Sequence, residues 1–596
     1  MRIFVEKLTL GTILGRLMEG SPPTRFVGRS AGRLTALLPG VLLALGIVAV
    51  LASTAALEQS GDSLAYLTKA RDGQGLFHPH HLLFNAAVRS VYLGLAAVVG
   101  VRDIVLAAQV HNLVLTFIAI VAVYWIGLRW LGSQLLGLIG LALYGSTTAI
   151  LVYASQAEVY VPAVALLGVA AAFFLTLAES PSSRSARAGL TVAWVLAVLY
   201  HQTTVLFLIA MAVTVLVSRK RELARAVALV SATAGGVVLG AYWLGYRAME
   251  AESTETVTFL EFILSYAVTP GVRWGRIGNF DSSGMLGLLE SHVRGLSALV
   301  PDRPGALTAF AVAGVAAVIL AWCLAGSRER LLLCFATSWA VTFLVFFLWW
   351  LPQEAEFAVL TSMPVCLAIM AGVATFVLGS RISAAGARTV AGGILVIAAI
   401  NFWGGIRFEV LPRHRTRGEA FQQAEFLSTF DDGSTLRLSS FSVSETLGFY
   451  FSGSADSIHA VDKLERALHV GETDESWMAR TVWARVIVDL SQVQPRGVHN
   501  GRDGFREPET WLRMMMWIFN LRGDEDGWHV DAWEIVPDGH GNDYLVVASG
   551  NRPLSDPHQL LGQLVDDLEP RSPARQAFTR WLKTNPGRLN GSLVRQ

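Results

Sequence analysis

The chain has 596 residues, of which 53% are hydrophobic and only 16% charged, and its mean hydropathy is +0.48. A water-soluble enzyme rarely reaches such values, so the composition predicts a polytopic membrane protein. The net charge of +1 and the lack of a basic tract with interleaved aromatic residues argue against nucleic acid as a partner. The three cysteines all fall inside apolar runs, so the sequence implies no disulfide framework and no zinc-type cysteine site.

The first 34 residues are basic and lead into an apolar run at 35–56, which predicts an uncleaved membrane anchor. The run 188–218 carries the polar sequence Tyr200–Thr204 at its centre, so we interpret it as two short helices that meet at a break. With these two helices, the apolar runs predict about eleven spans. The remaining spans are predicted at 104–128, 133–153, 159–178, 226–246, 305–325, 331–350, 357–379 and 387–405.

The apolar run 82–100 decides the predicted orientation. If it crosses the membrane, the basic cluster 219–225 falls on the side opposite the basic N-terminus, against the positive-inside rule. If it lies at the surface, all the basic loops fall on the N-terminal side. We therefore predict a cytoplasmic N-terminus, a cell-membrane location and an interfacial helix from Pro79 to Gly100. Five segments then meet at the outer face: 57–103, Glu158, the break at His201, loop 247–304 and the turn 349–357.

Residues 406–596 differ in character, with 21 Lys or Arg against 27 Asp or Glu. Short apolar segments with alternating polarity indicate strands, and two amphipathic segments indicate helices. The sequence therefore predicts three parts: a cytoplasmic segment 1–34, a mainly α transmembrane domain 35–405 and an extracytoplasmic α/β domain 406–596. The predicted strands are Leu436–Phe441, Val482–Leu490 and Tyr544–Ala548, and the predicted helices are Ser444–Phe451 and Glu507–Leu521.

Asp62 is the first candidate for catalysis. It follows the first span closely and precedes Tyr66 by one helical turn. A carboxylate at the membrane rim can accept a proton from an incoming hydroxyl, as a general base must. The alternative is that Asp62 is the N-cap of a helix over 63–72, a position that favours Asp.

Three histidines follow in the same polar segment, in the sequence Phe77-His78-Pro79-His80-His81. They are candidates for metal ligands, for partners of an anion, or for polar groups at the interface. Adjacent residues do not share a helix face, so the spacing of His80 and His81 does not single out a metal.

Glu158 lies between two apolar runs, where a carboxylate needs a cation, a metal or a hydrogen-bonded partner. His201, in the predicted helix break, is a candidate to join Glu158 on a divalent cation. The alternatives are an Arg or His partner from another loop for Glu158 and a helix-end polar contact for His201.

Loop 247–304 contains Arg273, Trp274 and Arg276. An indole can stack on a sugar, and guanidinium groups can pair with phosphate. A solvated loop face is the alternative for each of these residues.

The motifs in this order resemble the GT-C superfamily of membrane glycosyltransferases, and within it the protein O-mannosyltransferase-like proteins. The likeness rests on an Asp after the first span, a His-Pro pair ending the first outer loop, an interfacial helix, and Ala157-Glu158-Val159-Tyr160 opening a later span. It covers roughly residues 35–250. The resemblance implies inverting transfer of a sugar from a polyprenyl-phosphate donor, often with a divalent cation, at the outer face of the membrane. The acceptor would be a protein, a glycan or a lipid.

Carried over by position, Asp62 matches the family's catalytic carboxylate, and His78 with Pro79 matches the start of its HPP-type motif. His80 stands where the second Pro is common. Glu158 matches an acidic residue near the metal or the acceptor. The resulting candidates are catalytic Asp62, metal-binding Glu158 and His201, and substrate-binding Tyr66, His78, His80, His81, Tyr160, Arg273, Trp274 and Arg276.

Two other classes of protein fit parts of the sequence. A secondary transporter predicts ionisable groups near the bilayer midplane and two related halves. The ionisable residues instead gather at helix ends, and no repeat is seen. A non-catalytic scaffold explains the C-terminal domain but leaves the grouping of Asp62, His78 and Glu158 without a reason.

Overall fold

The computed structural model describes the protein in two compact units. The first contains the apolar helices up to Thr416 apart from Gln59–Ala65, and the second contains Gln59–Ala65 and the described residues from Arg417 onward. The predicted helix Glu507–Leu521 and the candidates Arg273, Trp274 and Arg276 lie outside the described residues. The described residues are 30–252, 258–268, 277–300, 304–378, 383–430, 435–439, 441–451, 458–460, 485–490, 529–537, 543–553 and 579.

The first unit is built from helices with apolar outer surfaces. Eight helical segments in the described part of the chain are long and apolar enough to cross a membrane. Leucines and valines such as Leu244 and Val312, 71% and 63% exposed, lie on the outside, where lipid tails can cover them. The prediction of a mainly α, polytopic membrane protein is therefore confirmed. Its helices are α1 (Ser30–Ser53), α2 (Gly61–Asp72), α3 (Phe84–Val99), α4 (Ile104–Trp130), α5 (Gln134–Gly145), α6 (Thr148–Tyr153), α7 (Tyr160–Glu179), α8 (Arg184–Tyr200), α9 (Phe207–Ser218), α10 (Arg221–Glu252), α11 (Phe259–Val268), α12 (Ser282–Leu296), α13 (Pro304–Leu324), α14 (Ser327–Trp350), α15 (Ala358–Leu378), α16 (Ala384–Gly405) and α17 (Leu411–Arg415).

Short helices form three of the predicted spans: the single span predicted at 133–153 and the two predicted within 188–218. The run 133–153 is divided into α5 and α6, which the sequence did not indicate. The run 188–218 forms α8, a 3₁₀ turn at Gln202–Leu206 and α9, so the predicted break at His201 is present.

Helix α3 begins at Phe84, five residues later than predicted, because residues before it form a turn in which the His81 N–H donates to the His78 carbonyl at 3.1 Å. Its 16 residues extend about 24 Å, too short for a bilayer core of about 30 Å. Its length therefore agrees with a helix that lies at the surface. It ends at Gly100, whose φ of +73° is the left-handed conformation that favours glycine.

The break between α5 and α6 is held by an amide from a distant helix. Asn401 of α16 donates through Nδ2 to the carbonyl of Ser146 at 2.7 Å and to that of Leu296 at 3.0 Å. Its Oδ1 accepts the Ser297 hydroxyl at 2.5 Å. Backbone carbonyls in an apolar bundle must find donors within the protein. Asn401 thus supplies hydrogen bonds to a backbone carbonyl at the interrupted span and to one at the C-terminus of α12.

The second unit contains a five-stranded mixed sheet in the order β2-β1-β3-β5-β4. Strand β1 is parallel to β2 and β3, whereas β5 is antiparallel to β3 and β4. Two helices, α18 and α19, pack on the sheet through a core that includes Leu427, Leu447, Ile487 and Tyr544. Strands β1, β3 and β5 overlap the three predicted strands, although Phe441, predicted as the end of the first strand, begins α19. The elements are α18 (Glu419–Ser428), β1 (Thr435–Ser439), α19 (Phe441–Tyr450), β2 (Ile458–Ala460), β3 (Arg485–Asp489), β4 (His529–Pro537) and β5 (Asp543–Pro553).

The role of Asn401 predicts a loss of stability on its removal. Asn401→Leu leaves the Ser146 and Leu296 carbonyls without this donor, which should cost about 1–3 kcal/mol and lower the melting temperature in detergent. Thr389→Val on the same helix is the matched control, because its exposed hydroxyl bonds only within α16, to the Ala385 carbonyl at 3.1 Å. Equal melting temperatures for the two variants would contradict this role.

Candidate active site

Asp62 lies in the first turn of α2 and is exposed. The helix begins at Gly61, two residues earlier than the sequence predicts, so Asp62 lies inside the helix. The Ser60 hydroxyl oxygen accepts the Ser63 N–H at 3.0 Å, which is the bond of an N-cap. Ser60 is therefore a cap of this helix, a role that the sequence had suggested for Asp62.

The three histidines of the first polar segment lie in one compact turn. The rings of His78 and His81 are stacked, with centroids 4.3 Å apart and planes 12° apart. His80 lies 5.7 Å from His78, and the edge of the Tyr66 ring meets His81 at 4.3 Å. The structure thus brings together four of the predicted substrate-binding residues.

This histidine turn is docked on the break that follows α8. The Gln202 N–H donates to the His80 carbonyl at 2.9 Å, and the Leu83 N–H donates to the Leu199 carbonyl at 2.8 Å. At the break itself, His201 Nδ1 lies 2.7 Å from the Thr203 hydroxyl. Backbone groups of the turn and of the break therefore form hydrogen bonds with each other, so neither irregular segment leaves these groups unpaired.

Arg89 of α3 attaches the same segment to the end of α2. One terminal nitrogen, Nη1, donates to the carbonyls of Ala70 and Arg71, both at 2.9 Å. A cation at the carbonyl end of a helix is favoured by the helix dipole. Gly73 has φ +78°, and a Cβ there would lie 2.5 Å from the Arg89 guanidinium. The left-handed φ therefore favours glycine here, while the guanidinium, at the end of a flexible side chain, could move aside.

Burial lowers the pKa of all three histidines in this turn and so favours their neutral form, and the charge of Lys69 acts on two of them. Burial lowers the pKa of His80 to about 3. Burial, and after it the positive charge of Lys69, lowers the pKa of His78, and burial with the neighbouring His78 lowers the pKa of His81. The imidazoles can donate or accept a hydrogen bond, while Lys69 supplies the positive charge.

One side chain of this turn and one just after it keep buried polar atoms without hydrogen-bond partners in the described part of the chain. They are His81, 2% exposed, and Asn85, which is fully buried one helical turn later. An unsatisfied buried polar group costs about 1–3 kcal/mol. Such exceptions are uncommon in folded proteins and are consistent with a functional position.

Glu158 is nearly fully buried, at 1% exposure, and its segment is fixed by a buried asparagine. Asn112 of α4 donates through Nδ2 to the carbonyls of Gln156 and Glu158 at 2.7 and 2.9 Å. Its Oδ1 lies 2.9 Å from His111 Nδ1, and His111 Nε2 lies 2.8 Å from the Tyr200 hydroxyl. This chain of contacts connects the Glu158 segment to the end of α8.

Tyr160 connects the Glu158 segment to the His201 break. Its ring lies 4.6 Å from that of His201 and 5.5 Å from that of Phe357. The Tyr160 hydroxyl makes a long contact of 3.5 Å with a carboxylate oxygen of Glu356. The predicted meeting of Glu158, His201 and the turn 349–357 at one end of the bundle is present.

Among the described residues, the predicted metal ligands Glu158 and His201 have no third ligand that would complete a metal site. No three His, Cys, Asp or Glu side chains in the described part of the chain form a group suited to hold a metal ion. Within this part of the chain, Glu158 and His201 fall short of the three or four protein ligands that zinc sites usually have. The divalent cation stays a prediction, and no chemical step is assigned to it below.

Sequence reasoning missed several polar residues of this region, notably Lys69, Asn85, His111 and Asn112. Lys69 belongs to the same polar helix as Asp62 and Tyr66. His111 and Asn112 interrupt the apolar run 104–128, and polar residues within a span are a signal for function or for structural pairing.

Asn112 is a positioning residue, and its replacement should loosen the Glu158 segment. In Asn112→Leu, the carbonyls of Gln156 and Glu158 lose their donor, so we expect faster hydrogen exchange at amides of residues 154–159. Thr116→Val is the control, because its buried hydroxyl bonds within α4, to the Asn112 carbonyl at 2.8 Å. Unchanged exchange in Asn112→Leu would show that other contacts position Glu158.

No family model and no curated protein matches the sequence. Among solved structures, ArnT from Cupriavidus metallidurans bound to undecaprenyl phosphate is similar, with 14% identity, 88% of this chain and 100% of that chain covered, and a TM-score of 0.50. Its apo state gives 14% identity, 87% and 100% coverage and a TM-score of 0.52. The oligosaccharyltransferase of Archaeoglobus fulgidus, solved in complex with zinc and sulfate, is 10% identical. The match covers 87% of this chain and 74% of that chain, with a TM-score of 0.46. The chain thus has the GT-C fold that its motifs resemble, whereas the glycosyltransferase role and the O-mannosyltransferase-like subtype stay predictions.

Proposed function

We propose that this protein is a membrane glycosyltransferase that moves a sugar from a polyprenyl-phosphate donor to an acceptor hydroxyl, with inversion at the anomeric carbon. The fold it shares with ArnT, a protein solved with undecaprenyl phosphate bound, supports the donor class. The observation that carries the proposal is the polar segment after α1, which combines Asp62, Lys69 and neutral histidines beside apolar helices.

The acidic and basic groups of α2 have the spacing that such a reaction needs. In a continuous helix, residues four and seven positions apart share a face, so Asp62, Tyr66 and Lys69 project from one side of α2. A carboxylate can take a proton, and an ammonium can stabilise a departing phosphate.

The proposed reaction uses these groups in sequence. The Asp62 carboxylate accepts the proton of the acceptor hydroxyl, and the hydroxyl oxygen forms a bond to the anomeric carbon. The bond from that carbon to the phosphate oxygen breaks, and its electron pair stays on the phosphate, which leaves as polyprenyl phosphate. Lys69 stabilises that charge, and neutral His78 and His81 offer hydrogen bonds to phosphate or sugar oxygens.

The lipid tail explains why the site adjoins apolar helices. A polyprenyl chain stays in the bilayer while its phosphate lies at the interface, and the charge pattern of the loops predicts the outer face. The acceptor would be a protein, a glycan or a lipid. In this proposal Glu158, Tyr160 and His201 line the end of the bundle that receives the sugar.

Replacing Asp62 tests the catalytic assignment. The purified full-length protein is incubated with a panel of polyprenyl-phosphate sugars, and transfer or donor hydrolysis is followed. Asp62→Asn should reduce turnover at least roughly 10²-fold while expression and melting temperature stay unchanged. Asp72→Asn is the control, because this exposed carboxylate of the same helix pairs with Arg71 at 2.9 Å. Unchanged turnover in Asp62→Asn would reject the assignment, and inertness of the native protein with every donor would favour a transporter or a scaffold.

Replacing Lys69 tests the role of the positive charge. Lys69→Gln should lower kcat by roughly 10²-fold, because the leaving phosphate loses a stabilising charge, and Lys69→Arg should recover part of it. Arg71→Gln on the exposed side of α2 is the matched control and should keep the native rate. Equal rates for Lys69→Gln and Arg71→Gln would show that Lys69 does not act on the reaction.

A further inference from the structure

A second polar site lies at the other end of the α7–α8 hairpin. Tyr160 begins α7 and His201 follows α8, and their rings are in contact. Glu179 and Arg184, at the opposite ends of the two helices, are therefore separated from that contact by the length of α7, about 30 Å. This distance matches the thickness of a bilayer core.

A cavity of about 350 Å³ lies here between the first two turns of α8 and the third and fourth turns of α10. Its lining contains two arginines and two threonines together with apolar side chains, and it contains no acidic residue among those the structure describes. The polar residues are Arg184, Arg187, Thr191 and Thr233, and the apolar wall includes Leu229 and Val230.

Arg187 of this cavity differs from other basic residues at the same end of the bundle. Arg328 pairs with Glu179 at 2.9 Å, and the Lys220 ammonium donates to the Ala178 carbonyl at 2.8 Å. In contrast, Arg187 Nε is buried without a hydrogen-bond partner in the described part of the chain, and Arg187 Nη2 makes only a long contact of 3.5 Å to the Ser182 carbonyl. A partly buried guanidinium with an unpaired Nε, in a cavity whose described lining has no acidic residue, favours an anionic ligand.

The walls of the cavity favour a lipid over a soluble anion. Leu229, which lines the cavity, is 53% exposed, and Val192, adjacent to Thr191 on α8, is 59% exposed. The polar end of the cavity is thus continuous with the apolar surface that faces lipid tails. A phosphate held by Arg184 and Arg187 would place acyl chains along this surface.

We propose that this cavity binds the phosphate of an anionic glycerophospholipid. In the orientation that the loop charges predict, it opens to the cytoplasmic leaflet, where anionic lipids are common and basic pockets between helices bind their headgroups. The threonine hydroxyls at 191 and 233 are additional donors for headgroup oxygens. The bound lipid would connect α8 to α10, and α8 carries Tyr200 and the His201 break at its far end.

The test compares lipid binding to the full-length protein and its variants in neutral detergent. Native mass spectrometry counts phosphatidylglycerol and phosphatidylcholine retained by the protein, and thermal unfolding measures stabilisation by each lipid. The native protein should retain phosphatidylglycerol in preference to phosphatidylcholine. The double variant Arg184→Gln, Arg187→Gln should weaken phosphatidylglycerol binding roughly tenfold or more.

The control removes the same charge elsewhere at this end of the bundle. Arg129→Gln, Arg225→Gln replaces two exposed arginines that do not line the cavity and should change phosphatidylglycerol binding less than twofold. If the double variant fails to fold, the single Arg184→Gln, which keeps the partly buried Arg187, serves in its place.

Three results would overturn the proposal. The first is equal phosphatidylglycerol binding by the native and the variant proteins. The second is arginine-dependent binding of inorganic phosphate as tight as that of the lipid, which would indicate a soluble anion. The third is arginine-dependent binding of undecaprenyl phosphate without binding of phosphatidylglycerol, which would indicate a second site for the proposed donor lipid. Sugar transfer is not measured, so these results are independent of the proposed function.

Discussion

Backbone groups inside an apolar bundle must find hydrogen-bond partners within the protein, because lipid tails offer none. Continuous helices meet this need by themselves, whereas interrupted helices do not. In this protein, residues distant along the chain supply hydrogen bonds to the backbone groups at the interruptions. Asn401 donates to the carbonyl at the α5–α6 break, Asn112 donates to the carbonyls before α7, and the backbone of Gln202 donates to His80 after α8. These buried contacts fix the places where the chain leaves helical geometry.

The candidate site lies where two of these irregular segments meet. The histidine turn docks on the break after α8, and the Glu158 segment is fixed by Asn112. Irregular backbone at such depth is stable only when it is buried in protein or lines a cavity. Polar side chains on these non-helical segments can therefore lie close together at spacings that a helix would not allow. The neutral histidines beside Lys69 are one result, and they suit a phosphate that carries its own charge into the site.

The α7–α8 hairpin places different chemistry at its two ends. One end holds the rings of Tyr160 and His201, and the other end adjoins the cavity of Arg184 and Arg187. Both ends lie where a spanning helix would reach an interface. The proposed donor lipid and the proposed glycerophospholipid would therefore act at opposite surfaces of the same pair of helices. Each uses positive charge near an apolar wall, which is the general requirement for holding a lipid phosphate.

The sequence by itself determined the membrane character, the break at His201, the polar segment after the first span and the positions of β1, β3 and β5, since these depend on composition and local periodicity. It also carried the motif order that resembles the GT-C fold. Only the tertiary structure decided that Ser60 is a cap of α2, that the run 133–153 is interrupted and that Lys69 lies near His78. Hydropathy reports the average of a segment, and a break or a cluster depends on partners distant along the chain. Asn401 lies 255 residues from the carbonyl of Ser146 that it satisfies, a separation that local periodicity does not detect.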